Sequence, residues 1–142
     1  MRYPELTGRM ITDVWEQVEM EAGGLDRAAC IVLLDGRVPI GFPYAWDDEI
    51  HVHDAPAIPS GFTPLRGSVR RHIVGRTITG LIGFDEGGLF DKALLVLANG
   101  SLIGEINIAP NGTGHAGLWF FRSLAELELR AGTGHRDLIA GS

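Results

Sequence analysis

The chain repeats itself, and the repeat constrains the fold more than any single motif. Gly8-Arg9-Met10-Ile11-Thr12 returns as Gly75-Arg76-Thr77-Ile78-Thr79. Gly23-Gly24-Leu25 returns as Gly87-Gly88-Leu89, followed by Asp26-Arg27 in one copy and Asp91-Lys92 in the other. Ala29-Cys30-Ile31-Val32-Leu33-Leu34-Asp35-Gly36 returns as Ala93-Leu94-Leu95-Val96-Leu97-Ala98-Asn99-Gly100. The offset is 67 residues at the first block and 64 at the last, so the second copy has the shorter first hairpin. The copies span 6–54 and 73–121 within a single domain of 1–142.

The repeat unit reads as β structure. Val74, Ile78, Ile82 and Phe84 share one parity, and Leu102, Gly104, Ile106 and Ile108 alternate with Ile103, Glu105 and Asn107. Period two marks a strand with two different faces. Leu94–Leu97 is apolar on both parities, which predicts a central strand covered on both sides. Asn99-Gly100 and Asp35-Gly36 predict tight primed turns, where both central residues take positive φ. Leu118-Trp119-Phe120-Phe121 predicts a fourth strand, with Glu49–His53 as its first-copy equivalent. Residues 11–22 are ambiguous. Ile11, Val14, Trp15 and Val18 have helical spacing, yet their counterpart 78–84 contains Gly80 and Gly83, which are poor in helices. The repeat favours strand.

The expected fold is mainly β (α+β): two tandem antiparallel four-strand meanders forming one sheet, a sandwich or a barrel. Residues 55–72 carry Pro56, Pro59, Pro64 and Gly61 without periodicity and read as the connection, followed by a basic cluster of Arg66, Arg70, Arg71 and Arg76. A short C-terminal helix is expected over 123–131. Ser123 and Glu126 form a capping box, Leu124, Leu127 and Leu129 supply apolar surface, and Gly132 stops it. The tail beyond Gly132 reads as frayed. Pro39 within 37–42 predicts an edge strand, which leaves room for a homodimer through strand pairing.

Composition narrows the function classes. At 142 residues, folding buries roughly 68–70% of the unfolded surface, enough for a core without staples. The single cysteine, Cys30, lies in the apolar run Ala28–Leu34 and reads as a small core hydrophobe. Met1-Arg2-Tyr3-Pro4-Glu5 contains no apolar signal region, and no run approaches a membrane span of about 20 residues. A cytoplasmic protein without membrane association is therefore expected. The net charge of −6 is unevenly distributed: residues 1–61 hold 11 acids and 4 bases, residues 62–142 hold 7 acids and 8 bases. That balance argues against nucleic acid as a partner and suits a basic protein. Only one of the twelve basic residues, Lys92, is a lysine, which reads as the composition of a GC-rich genome.

Three constellations stand out. Tyr44 and Trp46 beside Asp47, Asp48 and Glu49 have the composition of a protein-recognition patch, aromatic anchors with a charged rim. Phe42 shares parity with Val38 and Ile40 and reads as core. His51 and His53 lie two apart, so on a strand both imidazoles face one way and can pinch a metal ion. Finally, Gly104 to His115 resembles the second cupin motif: a glycine, five residues, Pro-x-Gly, two residues and a histidine. That resemblance implies a barrel in which His51, His53 and His115 share a metal. Trp119 replaces the asparagine expected after His115, and Ala45 replaces the glycine of the first cupin motif. Nucleophilic chemistry has little support, since there is no Gly-x-Ser-x-Gly elbow and no histidine near Cys30 in sequence. No cofactor is expected.

Small, acidic, β-rich chains without a catalytic constellation resemble the immunity proteins of bacterial polymorphic toxin systems. The likeness is one of general character and involves no diagnostic residue. It implies a non-enzymatic cytoplasmic domain that docks on a basic toxin domain and covers or blocks its active site. Turns and core positions recur between the copies, whereas the Tyr44–Glu49 segment and His115 do not. Function is therefore expected where the copies differ.

Overall fold

In a computed structural model of the chain, residues 1–20, 26–50, 61–84, 93–106 and 117–139 are described. They form two open antiparallel sheets. The first contains β1 (Ile11–Met20), β2 (Asp26–Leu34), β3 (Val38–Gly41) and β4 (Thr63–Pro64), in the order β3-β2-β1-β4. The second contains β5 (Ile78–Phe84), β6 (Leu94–Leu97), β7 (Leu102–Ile106), β8 (Gly117–Phe121) and β9 (His135–Asp137), in the order β8-β7-β6-β5-β9. A short helix, α1 (Ser68–Ile73), lies between the copies and α2 (Leu124–Ala131) follows β8.

Residues 11–20 are a strand, and the reason for their helical spacing is a β-bulge. The β1–β2 register slips between Ile11 and Asp13, so Ile11 and Val14 are both fully buried on one face although three residues apart. A bulge adds one residue to one strand and reverses the parity beyond it. The second copy repeats the device: register slips between Ile78 and Gly80, and Ile78 and Leu81 are both fully buried. Thr12 and Thr79 occupy the equivalent positions, and their hydroxyls donate to Leu33 O (3.1 Å) and Val96 O (3.4 Å) across the bulge. The single parity read for Ile78, Ile82 and Phe84 is thereby corrected. Ile78 joins the main core, while Ile82 and Phe84 face the opposite side.

The copies meet at a seam with approximate twofold symmetry. Gly8 N–H donates to Ile78 O (2.9 Å) and Gly75 N–H to Ile11 O (2.7 Å). Ile11 N–H donates to Arg76 O (2.9 Å) and Ile78 N–H to Arg9 O (2.8 Å). Met10 and Thr77 pair as an antiparallel bridge between them. The repeated Gly-Arg-x-Ile-Thr blocks are thus the joint. Gly8 and Gly75 turn into it at φ 90° and 86°, a left-handed region that glycine enters without steric cost.

Both sheets contribute to one main core, with Val14, Cys30, Val32, Leu34 and Ile40 from the first and Ile78, Leu81, Leu95, Leu97 and Ile103 from the second. A second cluster of Ile82, Phe84, Leu94, Leu102 and Phe121 is covered by Leu127 of α2. Strand β6 is therefore covered on both faces, as its apolar run predicts. So is β7, where alternation alone suggested one apolar face: Glu105 is only 3% exposed, and its Oε2 accepts the Cys30 N–H at 3.1 Å. That bond ties β7 to β2 of the other sheet.

Several expectations need correction. Asp35 and Gly36 both have positive φ (53° and 72°), but at the second corner only Gly100 does (84°). There Gly100 N–H donates to Leu97 O and Leu97 N–H to Ser101 O, closing a three-residue loop, while Asn99 Oδ1 accepts from Ser101 N–H. The first sheet gains its fourth strand from Thr63–Pro64 beside β1, inside what reads as a connection, and Glu49 forms only an isolated bridge to Arg2. Residues 51–53 lie outside the described residues. In sequence the tail reads as frayed, but its residues 135–137 form β9, which pairs with β5, and His135 Nε2 lies 3.0 Å from Glu128 Oε1 of α2. Ser123 Oγ accepts the Glu126 N–H as expected, and the Glu126 carboxylate accepts the Arg122 N–H. Of the three leucines on α2, only Leu127 is buried, and Leu129 is 89% exposed. Pro39 does lie on an edge strand.

Candidate functional site

The segment between β3 and residue 50 leaves the first sheet and lies across the second. Phe42 remains in the core. Pro43 O accepts the Ala93 N–H at 2.6 Å, and Ala45 O accepts from Arg136 Nη2 at 3.2 Å. Ala45 is buried against Gly83 of β5, where a Cβ would stand 2.8 Å from the Ala45 Cβ. The N-terminal turn Tyr3–Leu6 holds the other side. Tyr3 OH donates to Tyr44 O, Tyr3 N–H to Asp48 O (3.0 Å) and Ile50 N–H to Met1 O (2.7 Å). Burial raises the Tyr3 phenol pKa well above its ordinary range, and the Asp47 and Asp48 carboxylates push the same way.

With Ala45 pointing in, Tyr44 and Trp46 point out. Tyr44 is 41% exposed and Trp46 68%. Their rings stack with centroids 5.0 Å apart and planes 30° from parallel, an offset arrangement favoured by the ring quadrupoles. Asp47, Asp48 and Glu49 follow, all exposed. Arg2 Nη2 reaches Asp48 Oδ2 at 2.9 Å, and Arg2 Nη1 lies 4.0 Å from Glu49 Oε1. The Asp47 side chain accepts the Asp48 N–H at 2.8 Å and has no ion pair among the described residues. The structure thus brings together all five residues expected for partner binding. They form an exposed, stacked aromatic pair on a pinned backbone, with an acidic border.

The metal expectation rests on His51, His53 and His115, which lie outside the described residues. Among the described residues, no three His, Cys, Asp or Glu side chains gather as a metal-holding group. The described sheets are open, unlike the closed barrel that the cupin resemblance implies. Cys30 is buried in the main core. No helix among the described residues is long and apolar enough to cross a membrane.

A second surface feature was legible only as a basic cluster. Arg66, Arg70 and Arg71, with Gly67, Ser68 and Val74, line an open cleft of about 770 Å³ beside α1. Arg76, the fourth member of the cluster, does not line it. Comparison with protein-family models, curated proteins and solved structures finds no match to the chain.

Proposed function

We propose that the chain is a non-enzymatic recognition domain that docks a basic protein partner on the Tyr44–Trp46 platform and its Asp47, Asp48 and Glu49 border. One observation carries this reading: a tryptophan 68% exposed and stacked on a tyrosine, on a segment held at both ends by backbone hydrogen bonds. Exposing a large ring forgoes the stabilisation of burying it, about 1.5–3 kcal/mol for a large apolar side chain. A pinned backbone also means little ordering remains to be done on binding, which favours affinity. The acidic border would steer and orient an arginine- or lysine-bearing surface. An immunity protein that neutralises a toxin domain by covering it is the narrower form of this reading. The chain's acidity and open β sheets support it.

The test is co-purification from the native host, followed by titration of the recovered partner with purified wild-type, Trp46→Ala and Asp47→Asn/Asp48→Asn proteins. Trp46→Ala should weaken binding at least tenfold, about 1.4 kcal/mol, with an unchanged melting temperature. The double acid variant should slow association chiefly at low salt. Equal affinity for all three proteins would sink the reading.

A further inference from the structure

We propose that the arginine-lined cleft beside α1 is a binding site for a small phosphate-bearing ligand. This surface is separate from the aromatic platform, and the inference does not depend on the docking role. In a chain of net charge −6, residues 55–84 contain four arginines and not one aspartate or glutamate. Three of those arginines, Arg66, Arg70 and Arg71, converge on one cleft.

Their states differ in a useful way. Arg70 is fixed in place: its Nη1 donates to Asp13 Oδ1 at 2.5 Å and to Leu65 O at 3.2 Å. Asp13 is itself held, its Oδ1 accepting the Val14 N–H (2.9 Å) and its Oδ2 the Trp15 indole N–H (3.0 Å). Both bonds use the same nitrogen, so Nε and Nη2 of Arg70 make no bond among the described residues. Arg66 and Arg71 are exposed and have no ion pair or side-chain hydrogen bond among the described residues. The Ser68 hydroxyl is likewise uncommitted among them. Gly67, at φ 94°, has nothing within 4 Å of where a Cβ would stand, so its backbone leaves the mouth of the cleft open.

Gathering three guanidinium groups with one carboxylate among the described residues leaves an excess of positive charge there that an anion relieves. A phosphate monoester fits best. Its oxygens accept from several forked N–H groups at once, and its double charge matches the two arginines that have no ion pair among the described residues. A volume of about 770 Å³ lies within the range of small-molecule sites. A long polyanion is disfavoured, because the chain outside residues 55–84 carries 18 acids against 8 bases and repels it.

The experiment uses the full chain, with inorganic phosphate, ribose 5-phosphate and a 20-nucleotide single strand as probes, at constant ionic strength in chloride. Amide NMR titration and thermal melting report binding. Phosphate and ribose 5-phosphate should shift the amides of Gly67, Ser68, Arg70 and Arg71 saturably and raise the melting temperature, as any ligand preferring the folded state must. Ribose 5-phosphate should bind more tightly than phosphate. Arg66→Gln/Arg71→Gln should weaken both about tenfold or more, whereas Arg37→Gln/Arg122→Gln, with the same charge change outside the cleft, should not. Three results overturn the proposal: no saturable shift at those amides in the wild type, equal weakening in the two double variants, or tighter binding of the single strand than of ribose 5-phosphate.

Discussion

Gly83 and Ala45 meet where the two copies cross: a Cβ on Gly83 would lie 2.8 Å from the Ala45 Cβ and 3.0 Å from Leu138 Cδ1. The φ of Gly83 is not in the left-handed region, so space and not backbone freedom requires glycine there. Gly83→Ala should cost about 1–3 kcal/mol, the usual range for overpacking a tight site. Adding Ala45→Gly should recover part of that loss. Chemical denaturation of both variants checks this, and no recovery in the double variant would mean that Leu138 sets the limit.

Glu105 should matter more than its place in an alternating pattern suggests. Removing the side chain with Glu105→Ala takes away the carboxylate that accepts the buried Cys30 N–H, at a cost of about 1–3 kcal/mol. Glu105→Gln keeps a carbonyl oxygen in the same place and should cost less. Equal losses in urea melts would show that the Cys30 bond is not the relevant contact.

Tyr3 predicts an alkaline limit. Its pKa is raised in the folded chain, so the folded state resists ionisation while the unfolded chain ionises near pH 10. The associated stability is complete below about pH 10 and falls as pH rises through that value. Tyr3→Phe should be less stable at neutral pH by about 1 kcal/mol, from the lost bond to Tyr44 O. Its stability should then decline less between pH 9 and 11 than that of the wild type, as denaturation at each pH would reveal.

Asp35 predicts a limit at the acid end. The Met10 N–H at 3.0 Å is the main reason its pKa is lowered, and Arg9 and Arg37 add to it. The corresponding stability is present above the ordinary carboxylate value of about 4 and is lost as pH falls through the lower folded value. Asp35→Asn should flatten this acid limb. Asparagine tolerates the positive φ of 53°, so the turn itself should persist. An acid limb as steep as that of the wild type would rule out this carboxylate as its source.

Strand identity, the central position of β6, the edge position of Pro39 and the Ser123 cap were legible because each rests on local chemistry. The bulges were not. Ile11 with Val14, and Ile78 with Leu81, imitate helical spacing, since one inserted residue changes a period of two into a step of three. The repeat corrected that impression for the element type but not for the faces. Long-range pairings were equally hidden. Nothing near Thr63–Pro64 or His135–Asp137 announces which strand each will join, because such short segments are selected by edges formed elsewhere. The Tyr44–Glu49 surface was readable as composition, and its exposure followed from Ala45 finding Gly83. The cleft was readable only as charge, because three arginines converge through α1, which was not foreseen.

The seam about Met10 and Thr77 has the geometry of a homodimer contained within one polypeptide. Each copy donates what the other accepts, through four reciprocal hydrogen bonds. Neither half can complete that ladder alone, and a half-length chain would expose it to any copy of itself. Severing the chain between the copies should therefore leave two fragments that recognise each other by the same bonds, which makes this protein a natural candidate for fragment complementation.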